Sequence, residues 1–204
     1  MATLTELMHK HGSDKGGNAI TNHNYTSVYE PLLFRYKAMG SSMNLFELGL
    51  GTVNRDLASS MWWVPGYRPG ASHRAWAEWL PEANIFGADI DPDTMFPDGN
   101  IKKFLVNQTD PASIQQMWSQ MDEQFDVIID DGLHEFEANH TFLMNSHHKL
   151  KEGGIYIVED IVNADCQKFI DNFPNYKTFF KVATIVPLKW PRNEIDNNVL
   201  LLCK

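Results

Sequence analysis

The stretch Phe125-Asp126-Val127-Ile128-Ile129-Asp130-Asp131-Gly132-Leu133-His134 decides how this chain is read. A short apolar run rich in β-branched residues has the signature of a buried strand. It delivers two adjacent carboxylates, a glycine and an imidazole at its carboxyl end. A second apolar run, Ile155-Tyr156-Ile157-Val158, ends in Glu159-Asp160. If the two strands are parallel neighbours, these carboxylates and the imidazole meet on one edge of a sheet. In open α/β sheets that edge is where ligands bind.

Upstream, Asn44-Leu45-Phe46-Glu47-Leu48-Gly49-Leu50-Gly51-Thr52 reads as a strand closing on an acidic residue and a Gly-x-Gly turn. Glycines at a strand-to-helix turn let backbone approach a nucleotide-like ligand closely. Asn54 stands where a third glycine of a dinucleotide fingerprint would fall, which argues against a pyrophosphate site. A carboxylate before the turn suits a cationic amino-acid group better than a phosphate. The run Asn84-Ile85-Phe86-Gly87-Ala88-Asp89-Ile90-Asp91 is a further strand with an acidic end. Asp89 is placed to accept both hydroxyls of a ribose, with Asp91 as the alternative. A third strand over 101–106 leads to Asn107 and Gln108, either of which can reach an adenine edge. Asp110 and Pro111 start a helix over 111–121 as cap and first residue.

Other segments follow from local patterning. Residues 4–11 form a short helix that the Gly-rich run 12–17 breaks. A helix is expected from about residue 24, with Pro31 marking where the pattern takes hold. Residues 55–83, with Trp62, Trp63, Trp76 and Trp79, suggest a helix, an irregular loop and a second helix ending near Pro81. The tryptophans are either packing residues or, in part, the wall of an acceptor pocket. A helix over 135–149 is stopped by Gly153-Gly154 ahead of a strand at 154–158, and 164–173 is helical. The segments 176–186 and 198–203, joined by a turn-rich loop, make a terminal antiparallel hairpin. Strands alternating with helices and closing in such a hairpin define a mixed, mostly parallel α/β sheet. The domain plan is an N-terminal helical lid segment, 1–40, followed by a ligand-binding domain, 41–204. Lys15, His23 and Tyr25 mark the lid as more than a linker.

Composition narrows the function. The chain has 204 residues, 43% of them hydrophobic and 21% charged, with a net charge of -9. That length suits one domain with a proper core. The negative charge argues against nucleic acid or an anionic membrane as partner. Two cysteines give no disulfide framework. Residues 1–10 carry no apolar signal core and no apolar run reaches transmembrane length. A cytoplasmic location is expected, and the chain is equally compatible with being one domain of a longer protein.

Asp131, Glu159 and Asp160 offer only oxygen atoms, a donor set for magnesium or manganese. A cation holding a substrate hydroxyl lowers its pKa. His134, three residues after Asp131, can take the proton. The alternative is that these carboxylates cap loops and helices, although like charges gathered at one edge repel unless a cation compensates.

The order of Glu47, Gly49, Gly51, Asp89, Asn107-Gln108, Asp130-Asp131-Gly132-x-His134 and Gly153-Gly154-x-x-x-Val158-Glu159-Asp160 resembles class I S-adenosylmethionine-dependent methyltransferases. Within that class the chain is similar to the metal-dependent sugar O-methyltransferases of macrolide and aminocoumarin pathways, with the cephalosporin-hydroxylase-like proteins as close relatives. Ser13-Asp14-Lys15-Gly16 and Asn24-Tyr25-Thr26-x-x-Tyr29-Glu30 resemble the N-terminal part of the same family. The resemblance implies a Rossmann-like, seven-stranded, mostly parallel sheet with a C-terminal antiparallel hairpin and helices on both faces. It implies S-adenosylmethionine and Mg2+ (or Mn2+) as cofactors. Asp131, Glu159 and Asp160 would bind the metal, and His134 or Asp131 would be the base. Glu47, Gly49 and Gly51 would face the methionine part, Asp89 the ribose, and Asn107 or Gln108 the adenine. Asp130 and Tyr25 belong to the cofactor side. Leu133 stands where the sugar enzymes have serine. The expected acceptor is a sugar hydroxyl, a deoxysugar such as rhamnose on a glycan or natural product. Rival readings are a catechol-type O-methyltransferase and a non-catalytic cofactor- or glycan-binding module of a larger biosynthetic protein. A homo-oligomer is compatible with all of them.

Overall fold

The computed structural model describes residues 2–17 and 23–204. Strands β1 (Asn44–Leu48), β2 (Asn84–Asp89), β3 (Lys102–Leu105), β4 (Phe125–Asp130), β5 (Leu150–Val158), β6 (Val182–Pro187) and β7 (Asn198–Cys203) form one sheet. Their order is β3-β2-β1-β4-β5-β7-β6. The first five are parallel, and β7 runs antiparallel between β5 and β6. The seven-stranded, mostly parallel sheet with its C-terminal hairpin is therefore as the sequence implies.

The chain steps outward from β1 to β3 and then crosses back to β4 on the other side of β1. That reversal opens a crevice at the carboxyl ends of β1 and β4. The register fixes what enters it: Leu48 pairs with Asp130, and Asp130 with Val158. Asp131 and Glu159 thus leave the sheet side by side.

Alternation along the strands supplies both cores. Phe46, Phe86, Ile128 and Tyr156 point to one face, where α4 (Pro111–Trp118) and α5 (Phe136–Ser146) cover them with Trp118 and Phe142. Leu45, Ile85, Val127 and Ile157 point to the other. There they meet α1 (Leu4–His11), α2 (Thr26–Met39) and α3 (Ala71–Trp79) through Leu4, Met8, Tyr29, Leu33 and Trp76. The N-terminal helices expected to belong to a lid thus share the core of the sheet. Among the described residues no helix is long and apolar enough to cross a membrane.

Several local expectations needed adjustment, among them the strand expected over 176–186, which is confined to Val182–Pro187 because Tyr176 ends a short helix. The helix expected within 55–70 is absent; this segment is a series of turns folded back on Thr52, whose carbonyl accepts from Met61 N at 2.8 Å. The α2 helix begins at Thr26 rather than near Pro31, which sits inside it. Strand β5 begins at Leu150, before the two glycines, because its pairing jumps from Leu150 to Ile155 and the chain bulges at Gly153, φ 75°. The last expected helix is split into α6 (Cys166–Asp171) and α7 (Phe173–Tyr176), with Pro174 in the first turn of the second.

Candidate active site

The crevice holds a cavity of about 140 Å³. One end is built by the turn after β1. Gly49 has φ 98° and Gly51 φ 75°. A Cβ on Gly49 would collide with the carbonyl oxygen of Asp131, so the glycine lets two strand ends lie against each other. Asp89 lines the same end. Its carboxylate accepts from Leu50 N at 2.8 Å and Asp91 N at 3.0 Å. Burial pushes its pKa up, and these backbone N–H groups oppose the shift. Asp91 turns away to accept from Thr52 and from Asp93 N.

Asn107 and Gln108 also line the crevice. Gln108 is fully engaged: its amide donates to Asp130 Oδ1 at 2.7 Å and accepts from Leu133 N at 2.8 Å. It therefore clamps the loop that carries His134. Asn107 caps its own turn through Thr109. Asp130 is wholly buried, and burial raises its pKa to about 8. Its second oxygen, Oδ2, has no hydrogen-bond partner among the described residues.

The other end gathers Asp131, His134 and Asp160, whose ligand atoms lie within 4.8 Å of one another. His134 Nε2 is 3.1 Å from Asp131 Oδ1 and 3.3 Å from Asp160 Oδ2. Burial opposes its charge, but the Asp160 and Asp131 carboxylates prevail and raise its pKa to about 10. Asp160 is shifted the other way from a free carboxylate, up to about 6, by burial, which His134 and His23 only partly offset. Asp131 is held well below the carboxylate range; burial works against this, and the Lys15 ammonium and His134 outweigh it. Among the described residues, the non-glycine positions with positive φ are Ser59, His134 and Asp160, and all three line the crevice. Such backbone costs about 1–2 kcal/mol per residue and concentrates at functional sites.

Two expected site residues stand behind this surface. Glu47 is wholly buried and accepts from Ser72 and Trp76 at 2.5 Å each. Glu159 is equally buried and accepts from Tyr29 and from Lys15. Burial raises the Glu159 pKa against the pull of Lys15. Tyr25 reaches the site indirectly, donating to Asp160 Oδ1 at 2.5 Å. Lys15, read only as part of a lid, enters the acid cluster itself and donates to Asp131 Oδ2 at 2.5 Å. Ser72 was not singled out, Tyr29 entered only within the N-terminal motif, and Trp76 only as a packing or acceptor-wall residue; nothing local marks a tyrosine on an apolar helix face as a carboxylate's partner. Trp76 and Trp79 are core, whereas Trp62 and Trp63 are half exposed on the loop after Met61, which lines the crevice.

The sheet order and the reversed β7 give a Rossmann-like α/β fold, shared with solved methyltransferases. In sequence the chain is similar to sugar O-methyltransferases. It is 27% identical over 158 residues to the 8-demethyl-8-alpha-L-rhamnosyl tetracenomycin-C 2'-O-methyltransferase of Streptomyces olivaceus, covering 78% of this chain and 37% of that protein. It is 28% identical over 157 residues to the L-olivosyl-oleandolide 3-O-methyltransferase of Streptomyces antibioticus, covering 77% and 36% respectively. In structure it is similar to the MycE methyltransferase of the mycinamycin biosynthetic pathway, solved in complex with Mg, SAH and mycinamycin VI. That superposition has a TM-score of 0.74 at 18% identity, and covers 98% of this chain and 54% of the other. The chain spans little more than a third of the curated relatives it matches. No protein-family model matches it.

Proposed function

We propose that this chain transfers the methyl group of S-adenosylmethionine to a sugar hydroxyl, assisted by magnesium or manganese. The observation that carries the reading is one continuous crevice, with the glycine turn and Asp89 at one end and Asp131, His134 and Asp160 at the other. Cofactor and acceptor would meet between them.

The donor set suits a hard divalent ion: Asp131 and Asp160 offer oxygens on the cavity wall, and water and an acceptor oxygen can complete the shell. Such an ion would lower the pKa of a hydroxyl bound to it. Asp89 would hold the ribose hydroxyls, and the 49–51 turn would admit the methionine portion against backbone. Asn107 would lie toward the adenine. Glu47, Tyr25 and Gln108 would support from behind, the first through Ser72, which lines the crevice. His134 Nε2 would accept the hydroxyl proton. The carboxylates that hold this imidazole protonated are the ones a cation would engage, and the neutral imidazole is the form that accepts a proton. A sulfonium and an alkoxide-like oxygen neutralise each other in the transition state. Alignment and fixed charge would then supply most of the rate.

The acceptor follows the names of the relatives, which carry rhamnosyl and olivosyl groups. A deoxysugar attached to a natural product or glycan is the proposed class. The first experiment is calorimetric titration with S-adenosylmethionine and S-adenosylhomocysteine, with magnesium and with EDTA. It is followed by product analysis on rhamnosylated and catechol acceptors. Methylated sugar in the magnesium arm alone supports the proposal. No binding of either ligand sinks it, and turnover of catechol only would move the chain to the phenolic class.

A further inference from the structure

The crevice has a neighbour toward the β3 edge of the sheet. A second cavity, of about 280 Å³, lies between the end of β3 and α4. Ile90, Leu105, Val106, Asn107, Gln116 and Gln120 line it. Ile90, Val106 and Asn107 line the crevice as well. The two spaces are therefore parted by the side chains of three residues, not by a layer of core.

The local structure explains why that partition is thin. Leu105 is the β3 partner of Asp89, and Val106 N donates to the Asp89 carbonyl at 2.9 Å. Ile90 and Val106 thus leave the sheet side by side, next to the carboxylate proposed for the ribose. Asn107 is folded onto its own turn. Its Oδ1 accepts from Thr109 N at 3.0 Å and from Thr109 Oγ1 at 2.8 Å. Its N–H donates to Ser113 Oγ at 2.9 Å, which ties the turn to α4.

The walls state what the second cavity would take. Ile90 and Leu105 are 48% and 52% exposed, two large apolar side chains facing solvent together. Exposed apolar surface that adjoins a pocket marks a place for a ligand group. Carboxamides face them from Gln116 and Gln120, and among the described residues no charged side chain lines the cavity. A neutral, largely apolar group fits this lining, and a charged one would find no counter-ion there. A cavity of roughly 150 Å³ holds a benzene molecule, so an aromatic ring can enter.

We infer that this cavity is an annex of the adenine end, and that the chain accepts S-adenosyl ligands carrying a neutral aryl or alkyl group on the purine 6-amino nitrogen. The inference rests on the placement of adenine toward Asn107 proposed above. A purine with its amino edge at Asn107 presents a substituent to the space behind that residue. Leu105 lines the annex but not the crevice. It is therefore a specificity residue for the substituted purine and not for the parent cofactor.

The probes are S-adenosylhomocysteine and its N6-benzyl derivative, each titrated calorimetrically into the full chain and into Leu105→Ala. Leu105 is a half-exposed residue of an edge strand, so the variant should fold. Wild type should bind the two compounds within about ten-fold of each other. Leu105→Ala should weaken the benzyl compound by about three-fold or more, and leave S-adenosylhomocysteine within about two-fold of wild type. A larger penalty for the benzyl group in wild type overturns the inference. So does a Leu105→Ala chain that binds the benzyl compound as wild type does, because the ring would then lie in solvent. Equal losses of both compounds in that variant overturn it too. Wild type that binds neither compound sinks the methyltransferase reading, and the annex with it; wild type that binds S-adenosylhomocysteine alone sinks only the annex.

Discussion

His134 Nε2 points at Asp131 Oδ1 from 3.1 Å, on backbone with φ 62°, although only Gly132 and Leu133 separate the two residues. The left-handed turn folds the imidazole back over the strand end that produced it. If His134 is the base, His134→Ala should lower methyl transfer by ~10²–10⁴-fold. S-adenosylhomocysteine affinity should stay unchanged. Single-turnover kinetics beside calorimetry separate the two, and near-full activity would hand the proton to Asp131.

Asp89 combines a buried carboxylate with two backbone donors, Leu50 N and Asp91 N. Asp89→Ala should weaken S-adenosylhomocysteine binding by about ten-fold or more, the scale of a lost charged hydrogen bond. Asp89→Asn should lose less, since one acceptor oxygen remains. Equal affinity for all three proteins in calorimetry would move the ribose elsewhere.

Two glycines with similar dihedrals should behave differently. Gly12, φ 85°, has no atom within 4 Å of a Cβ position, whereas a Cβ on Gly49, φ 98°, meets the Asp131 carbonyl. Gly12→Ala should cost ~1 kcal/mol of stability from backbone strain alone. Gly49→Ala should cost clearly more, through displacement of the β4 end as well. Urea unfolding of both variants checks this; similar midpoints would mean the crevice floor yields easily.

Stability should fall on acidification through His73. The ring is fully buried against the Glu47 carbonyl at 3.1 Å, and burial lowers its pKa from 6.5. Below pH 6.5 the unfolded chain takes up a proton that the folded chain refuses, so stability drops as pH falls toward the folded pKa. Above pH 6.5 both states are neutral and the contribution vanishes. Urea midpoints at pH 7.5 and 5.5 should differ less in His73→Gln than in wild type, by up to about 1.4 kcal/mol per pH unit. An identical pH difference in both proteins would count against a neutral buried ring.

Trp62 and Trp63 are 49% and 51% exposed on the 52–64 loop, which reaches across the crevice through Ser59 Oγ to the Leu133 carbonyl. Replacing either by alanine should raise acceptor KM while leaving cofactor affinity intact. A change in cofactor affinity instead would make the loop part of the cofactor wall.

Strand ends were legible because their signals are local. Apolar runs closing on Gly49, Asp89, Asp131 and Glu159 announce buried strands and an acidic edge without any knowledge of packing. The glycines of the first turn were equally readable, since φ of 98° and 75° exclude most side chains. The helix expected within 55–70 is absent because the local sequence around Trp62 and Trp63 says nothing about the hydrogen bonds to Thr52 and Leu133, which hold the segment as turns.

By itself, then, the sequence determined the sheet, its terminal hairpin and which acidic residues gather at its edge, because strand periodicity and glycine conformations are written in neighbouring residues. Only the tertiary structure decided which of those carboxylates line the crevice and which are buried behind it. Glu159 and Glu47 look as available in the sequence as Asp131 and Asp160. Lys15 meets Glu159 across 144 positions, and Tyr29 meets it across 130. Charge pairing over such separations depends on how α1 and α2 pack on the sheet. A buried carboxylate takes whatever cation or donor that packing brings within reach.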